Sequence, residues 1–375
     1  MSGFIPVNIP LISEGNERKY VLECIDTGWI SSEGPFVKKF EEQFASYFSS
    51  KHAITVSNGT VALDAAIEAI GIKPGDEVII PTFTIISCAS SVVKSGGVPV
   101  PVDCDPRLWN STPHQIEAAI TSKTKAIMVV HIYGLPVDMD PILDLAKKHG
   151  LLIIEDTAQA IGLKYKDRLC GTMGDVACFS FYPNKHITTG EGGMVMTNSD
   201  KIADKVRSIR NLCFQPEKRF FHEDLGSNMR ITNIQAALGL AQLEQLDGFL
   251  IRKREIGKRY IKNLQHLSEY IELPVEKTEY AENCFWVFGI LVKDDMKTST
   301  KEIMAKLGEN GIGTRPFFFP MHLQPALHKL GYCSQKGLNH SEYIAENGFY
   351  VPSGLGISND EIDRVCNVLS KVLKG

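Results

Sequence analysis

The stretch S-F-Y-P-N-K-H-I-T-T-G-E-G-G, residues 180–193, is where the character of the chain changes. An apolar, aromatic-rich run ends there, a proline turns the backbone, Lys185 follows, and a glycine-rich tail comes after. Most lysines are solvated surface residues. An apolar strand before this one and glycines after it predict a different setting, at the edge of a buried layer. Loss of water there lowers the pKa of an ammonium group and leaves the amine nucleophilic toward aldehydes.

Outward from this segment the same grammar repeats. Short apolar runs occupy 53–56, 77–80, 98–102, 126–130, 151–154, 177–181 and 193–197, each too short to be a helix. Between most of them lie stretches of helical periodicity: 61–70 (V-A-L-D-A-A-I-E-A-I), 142–149 and 202–209. Continuous apolar strands alternating with helices predict an α/β layer, a mostly parallel sheet covered on both faces. Ligands of open α/β sheets bind at the carboxyl ends of strands. Three of the runs end in polar or reactive residues: Val56 leads into S-N-G-T, Ile154 into E-D, and Phe181 into Y-P-N-K.

Past 233 the pattern is different. Residues 233–267 read as helical, 285–292 as a strand, 301–307 as a helix and 312–319 again as a strand. The last segment is an amphipathic helix. Ser358 and Glu361 have capping-box spacing, and Ile362, Val365, Cys366, Leu369, Val372 and Leu373 fall on one face. The predicted organisation is a large α/β domain over 1–249 and a small C-terminal α+β domain over 250–375. There is no internal repeat and no low-complexity tract.

Composition narrows the function classes. The 375 residues are 43% hydrophobic and 22% charged, ordinary for a globular protein, and the formal net charge of −4 argues against nucleic-acid or anionic-membrane partners. None of the 9 cysteines has CxxC spacing, so no metal site is predicted and a reduced, cytoplasmic setting is expected. The start M-S-G-F-I-P lacks a charged region followed by a long apolar stretch, so no secretory signal is expected. No apolar run approaches the roughly 20 residues of a membrane span.

Two further strand ends carry chemistry. In S-N-G-T (57–60), Gly59 permits close backbone approach and Thr60 stands at a helix start, where free N–H groups attract an anion; from the segment alone a plain N-cap is the more common use of such Asn and Thr residues. In I-I-E-D-T-A-Q-A (153–160), an Asp after a buried strand suits a metal ligand, a helix cap or a partner for a cationic ring nitrogen.

Together with G-W-I-S-S-E-G (28–34), P-G-D-E-V-I-I-P (74–81), V-H-I-Y-G (130–134), N-M-R-I-T-N-I-Q-A-A (228–237) and T-R-P-F-F-F-P-M-H (314–322), these motifs resemble the DegT/DnrJ/EryC1/StrS family of sugar aminotransferases. The resemblance spans nearly the whole chain in order. It implies the aspartate-aminotransferase fold (fold type I), with a mostly parallel seven-stranded sheet, and pyridoxal 5'-phosphate (PLP) as cofactor. By the same resemblance Lys185 carries PLP as a Schiff base and moves protons, and Asp156 pairs with the ring N–H. Gln159 bonds the phenolic oxygen. Asn58, Gly59, Thr60 and Ser180 belong to the phosphate end. Asn228 reaches the cofactor of a neighbouring subunit, which implies a homodimer. Trp29, Ser31, Ser32, His186, Arg230, Arg315 and His322 are expected near the substrates.

Within the family, W-I-S-S and R-P-x-F-x-P-x-H look most similar to the perosamine-forming branch. That implies transfer of the amino group of L-glutamate to the 4-keto position of GDP-4-keto-6-deoxymannose. Three rivals stand beside it: a UDP- or dTDP-linked sugar aminated at the 3- or 4-position, a PLP-dependent dehydratase with histidine in place of the lysine, and a non-catalytic scaffold. Two residues depart from the pattern. Ile85 stands where many relatives place an aromatic against the cofactor ring, and Tyr182-Pro183 stands where the perosamine branch tends to have Phe-Gly.

Overall fold

The computed structural model describes residues 3–374 except Ser13, Pro216, Asp295 and Lys297. Seven strands form the main sheet: β1 (His52–Val56), β2 (Glu77–Pro81), β3 (Val98–Val102), β4 (Thr124–Val130), β5 (Leu152–Asp156), β6 (Val176–Ser180) and β7 (Gly193–Thr197). These are the seven apolar runs of the sequence. Their order is β1-β7-β6-β5-β4-β2-β3. Only β7 runs antiparallel to its neighbours, β1 and β6; the remaining pairs are parallel. Two antiparallel steps make β1 parallel to β6, so β1, β2, β5 and β6 all end on one edge of the sheet.

Helices α1 (Glu17–Thr27), α2 (Pro35–Tyr47), α3 (Gly59–Ala69), α4 (Ser87–Lys94), α5 (Met139–His149) and α6 (Asp200–Arg210) accompany the sheet. Strand periodicity divides the work of each residue. In β6 and just beyond it, Phe179 and Phe181 pack on α2 and its end. Phe179 lies 5.0 Å from Phe44 and 5.2 Å from Phe48 between ring centroids, and Phe181 lies 5.3 Å from Phe40. Ser180, between them, is turned the other way. Removing one of these buried rings, as in Phe44→Ala, costs about 3–5 kcal/mol.

The pattern over 233–267 is two helices, α7 (Asn233–Leu243) and α8 (Leu246–Leu264), plus a short 3-10 turn. The apolar spacing runs straight through the join, which is why periodicity does not mark it. Polar anchoring does: Gln242 and Gln245 both donate to Glu17 Oε1, at 2.7 and 2.8 Å. Beyond α8 a four-stranded antiparallel sheet has the order β8 (Ile271–Glu272), β9 (Phe288–Val292), β11 (Gly348–Val351), β10 (Arg315–Pro316).

Two of its strands are shorter than their apolar runs. Phe285 sits at φ 56°, which breaks the extended backbone before β9 begins. In the 312–319 run, Pro316 offers no N–H to a ladder, and the strand is reduced to two paired residues with one further bond from the Phe317 N–H to the Gly348 carbonyl. Helices α9 (Thr300–Glu309) and α10 (Asn359–Lys374) cover this sheet. The Ser358–Glu361 capping box is formed, and Ile362, Val365, Cys366, Leu369 and Leu373 are buried, with Val372 partly so. Ile5 bridges to Ile312 and packs in this second core, so the start of the chain is tied to its C-terminal third.

Candidate active site

A cavity of about 640 Å³ lies at the common strand-end edge, lined by Asn58, Gly59, Thr60, Ile85, Asp156, Gln159, Ser180 and Lys185 among others. A larger cleft of about 800 Å³ lies elsewhere, between Arg107 and the residues around β8, and contains none of these side chains. Size therefore does not identify the site; convergence of strand-end chemistry does.

At one end of the cavity, α3 begins. Asn58 caps it through Oδ1, which accepts the Val61 N–H at 2.9 Å. The capping and anion-binding readings of S-N-G-T are thus compatible: Asn58 takes the cap while Gly59 and Thr60 line the cavity. Gly59 is required by close approach, since a Cβ there would lie 2.6 Å from Ser180 Cβ. Thr60 Oγ1 is 2.7 Å from Ser87 Oγ. The sheet order that makes β1 parallel to β6 is what brings residues 59 and 180 together.

The two carboxylates ending β5 separate across the sheet. Glu155 is buried and accepts the N–H groups of Gly171, Met173 and Gly174 at 2.7, 2.7 and 2.5 Å, holding a turn. Asp156 faces the cavity, accepting from Ala158 N at 3.1 Å and from Cys88 Sγ at 3.4 Å. Burial raises the Asp156 carboxyl, and the Ala158 N–H, the Lys185 charge and the Cys88 thiol oppose that rise. Gln159 Oε1 accepts from Tyr133 N at 2.7 Å, which fixes the amide and leaves Nε2 without a hydrogen bond among the described residues.

Lys185 follows the Tyr182–Lys185 turn that ends β6. Burial brings its amine down to about 8, against the opposing pull of Asp156 and Cys88. Among the described residues its Nζ makes no hydrogen bond; it lies 3.8 Å from the centroid of the Trp286 ring. The next residue points elsewhere. His186 was expected near the substrate, but it is buried outside the cavity, with Nε2 3.0 Å from Cys284 Sγ. Burial, together with the charges of Lys253, Lys185 and Arg254, holds it well below the usual histidine range, so it is neutral.

His322 is likewise moved from the substrate to the framework: Nδ1 is 2.7 Å from Thr82 Oγ1 and Nε2 is 2.9 Å from Glu342 Oε1. It ties the end of β2 to a helix at Asn339–Asn347. The other expected substrate residues lie outside the cavity lining of this chain. The carbonyls of Trp29 and Ser31 accept from Asn233, whose Nδ2 reaches Trp29 O at 2.6 Å and whose N–H reaches Ser31 O at 2.8 Å. Ser32 and Arg230 share a small pocket with Arg207, Arg210 and Asn211, and Arg230 donates to Asn211 Oδ1 at 2.6 Å. Asn228 is exposed and bridges to Asn211. Arg315 is exposed opposite Tyr350, which does line the cavity.

Sequence reading missed Trp286, Phe318 and Tyr350, which all line the cavity. They come from the C-terminal third, and nothing in their local pattern distinguishes them from core aromatics. Ser87 had a usable signal, a hydroxyl at the start of α4. Among the described residues no helix is long and apolar enough to cross a membrane, and no three His, Cys, Asp or Glu side chains are grouped to hold a metal ion.

The chain is similar along its length to proteins of known kind. It is 45% identical over 361 residues to a GDP-perosamine synthase of Caulobacter vibrioides, covering 96% of each chain. It is 40% identical to a GDP-perosamine synthase of Vibrio cholerae, covering 97% of this chain and 98% of that one. The crystal structure of DesV from S. venezuelae superposes with a TM-score of 0.91 at 32% identity, covering all of both chains. A family model matches residues 12–370, and with the strand-end site described above it assigns the chain to the DegT/DnrJ/EryC1/StrS aminotransferase family.

Proposed function

We propose that this protein transfers the amino group of L-glutamate to the 4-keto carbon of GDP-4-keto-6-deoxymannose, forming GDP-perosamine, with PLP as its cofactor. The observation that carries the reading is the amine of Lys185, free of hydrogen bonds among the described residues, sharing a cavity with the carboxylate of Asp156. Two GDP-perosamine synthases that align with nearly the whole chain support the choice of substrate.

The cavity suits a phosphorylated pyridine aldehyde. Gly59 and Thr60 at the start of α3, with Ser180 at the end of β6, offer N–H and hydroxyl donors to a phosphate, in a cradle that a Cβ on residue 59 would fill. Gln159 Nε2 offers a donor to a phenolic oxygen. Asp156 offers a buried carboxylate, which favours the protonated form of a ring nitrogen beside it. Bound PLP supplies the aldehyde that takes the amino group and the ring that withdraws electrons from the reacting carbon. Lys185 supplies the amine for that aldehyde and afterwards holds or returns a proton at Nζ. With its pKa near 8 instead of 10.5, Lys185 has about 300-fold more free amine at neutral pH than an ordinary lysine.

Amination is favoured over dehydration because Lys185 lines the cavity while His186 is packed against Cys284. A homodimer in the cytoplasm is part of the proposal. Phe220 and Leu225 are 82% and 91% exposed on the loop that leads to Asn228, a surface that a second copy would cover. Light scattering coupled to gel filtration tests this directly.

The substrate is tested by incubating the protein with 15N-glutamate and 4-keto-6-deoxy sugars linked to GDP, UDP or dTDP, read by mass. The expected product is 15N-labelled GDP-perosamine. Amination confined to UDP- or dTDP-sugars, or a product lacking a hydroxyl, overturns the assignment.

A further inference from the structure

The turn bearing Lys185 is held by two side chains distant in sequence: Asn8 donates its Nδ2 to the Pro183 carbonyl at 3.0 Å, and Trp286 takes the next carbonyl. Trp286, 6% exposed and just ahead of β9, donates its indole N–H to the Asn184 carbonyl at 2.7 Å. Its own carbonyl accepts from Lys253 Nζ at 2.9 Å. Its ring faces Lys185 Nζ at 3.8 Å; the other cation–ring contacts among the described residues span 4.9–5.8 Å. Indole position is thus set from two sides before the lysine meets it.

We propose that Trp286 is a positioning residue, whose indole face seats the amine of Lys185 whenever that amine is not bonded to cofactor. The proposal rests on the reading of Lys185 as the reactive amine. A lysine released from a covalent bond has four flexible methylenes and several rotamers to wander among. A carbonyl would hold it, but would also occupy one of its protons. A ring face holds the ammonium by its quadrupole and leaves every N–H bond free. The contact also favours the charged amine, so it opposes the lowering of the Lys185 pKa by burial. The aromatic surface that this chain lacks at Ile85 is present here, on the lysine's own wall of the cavity.

The test uses cofactor-free full-length protein. Competitive acetylation of Lys185 is followed across pH 6 to 11 by mass spectrometry in the native chain and in Trp286→Phe and Trp286→Leu. Trp286→Leu is expected to move the Lys185 midpoint down by about one pH unit, and Trp286→Phe by less, since a smaller ring remains. An unchanged midpoint in a folded Trp286→Leu overturns the proposal.

If that variant does not fold, fluorine NMR of 5-fluorotryptophan protein decides. The chain has three tryptophans. The Trp286 signal, assigned by its loss in Trp286→Phe, should titrate with the Lys185 midpoint and stop doing so in Lys185→Met. A signal blind to that midpoint overturns the proposal. Neither readout needs Lys185 to be the residue that binds PLP. That reading fails separately, if a borohydride-reduced PLP adduct maps to another lysine.

Discussion

Two lysines in this molecule have been brought to the same acidity by the same cause, and only one is available for chemistry. Lys185 and Lys253 are both lowered from 10.5 to about 8, mainly by burial. Lys253, on α8, donates to the carbonyls of Trp286 and Ser353 at 2.9 and 2.5 Å and is buried. Lys185 has no hydrogen bond among the described residues, an aromatic face beneath it and an open cavity before it. A depressed pKa therefore marks desolvation, while reactivity needs an unsatisfied amine with room for a second reactant.

Removing each amine in turn separates the two lysines most strongly. Lys185→Ala is expected to lower turnover by about 10³-fold or more, since one side chain supplies both the nucleophile and the proton transfer. Borohydride reduction of the PLP-loaded native protein should give an adduct at Lys185. An adduct at Lys253, or near-native turnover by Lys185→Ala under steady-state assay, removes Lys185 from the mechanism and erases the distinction.

The carboxylates ending β5 repeat the contrast one strand away. Asp156→Asn leaves the protein folded but removes the charge opposite the ring nitrogen, and turnover should fall about 10²- to 10³-fold. Glu155→Gln faces amide donors with another donor at the 171–174 turn. It should cost about 2–3 kcal/mol in denaturant unfolding and change turnover little. If Glu155→Gln proved the more damaging to turnover in folded protein, the assignment of faces along β5 would be wrong.

A smaller effect lies in pH. Below about 8 the Lys185 amine is mostly protonated, so PLP uptake by cofactor-free protein should speed up about tenfold per pH unit toward 8 and level off above it. Stability moves in the same direction. Both lysines bind protons less well in the folded than in the unfolded chain, so each burdens the fold below pH 8. That burden fades as pH rises from about 8 to 10.5. Stopped-flow absorbance checks the first and chemical denaturation the second; a PLP-uptake midpoint near 10 would show that Lys185 is not desolvated.

How far the sequence discloses all this follows from how local each signal is. The seven sheet strands are continuous apolar runs, because both faces of each are covered, and every one is legible. Lys185 is legible from its own segment, an apolar strand followed by a proline turn and glycines; Gly59 and Asp156 read locally as parts of helix caps too, and only the resemblance along the whole chain implies a cofactor role for them. Trp286 and Tyr350 are not legible, since an aromatic at a cavity wall has the same neighbours in sequence as one in the core. His186 and His322 misled for a related reason. Motif adjacency fixes where the backbone goes, while the alternation of side chains about a turn decides which residue enters the cavity. The break between α7 and α8 was hidden because the apolar spacing continues across a join held by Gln242, Gln245 and Glu17.

Lys253→Met gives the finest cut between the two amines. Methionine keeps most of the volume of the buried stem but donates nothing, so the carbonyls of Trp286 and Ser353 lose their partner. Losing a buried charge offsets part of that cost, because the ammonium was itself desolvated. The net change expected is a destabilisation of about 1 kcal/mol, seen as a lower urea midpoint at pH 7. It should grow as pH rises from about 8 toward 10.5, where the native lysine sheds the burden of its buried charge, and stay nearly constant below pH 7. The PLP adduct at Lys185 should persist, since Trp286 keeps its indole bond to Asn184. Loss of that adduct in folded Lys253→Met protein would mean that the two lysines act as one unit, with the Trp286 backbone carrying the influence of one to the other.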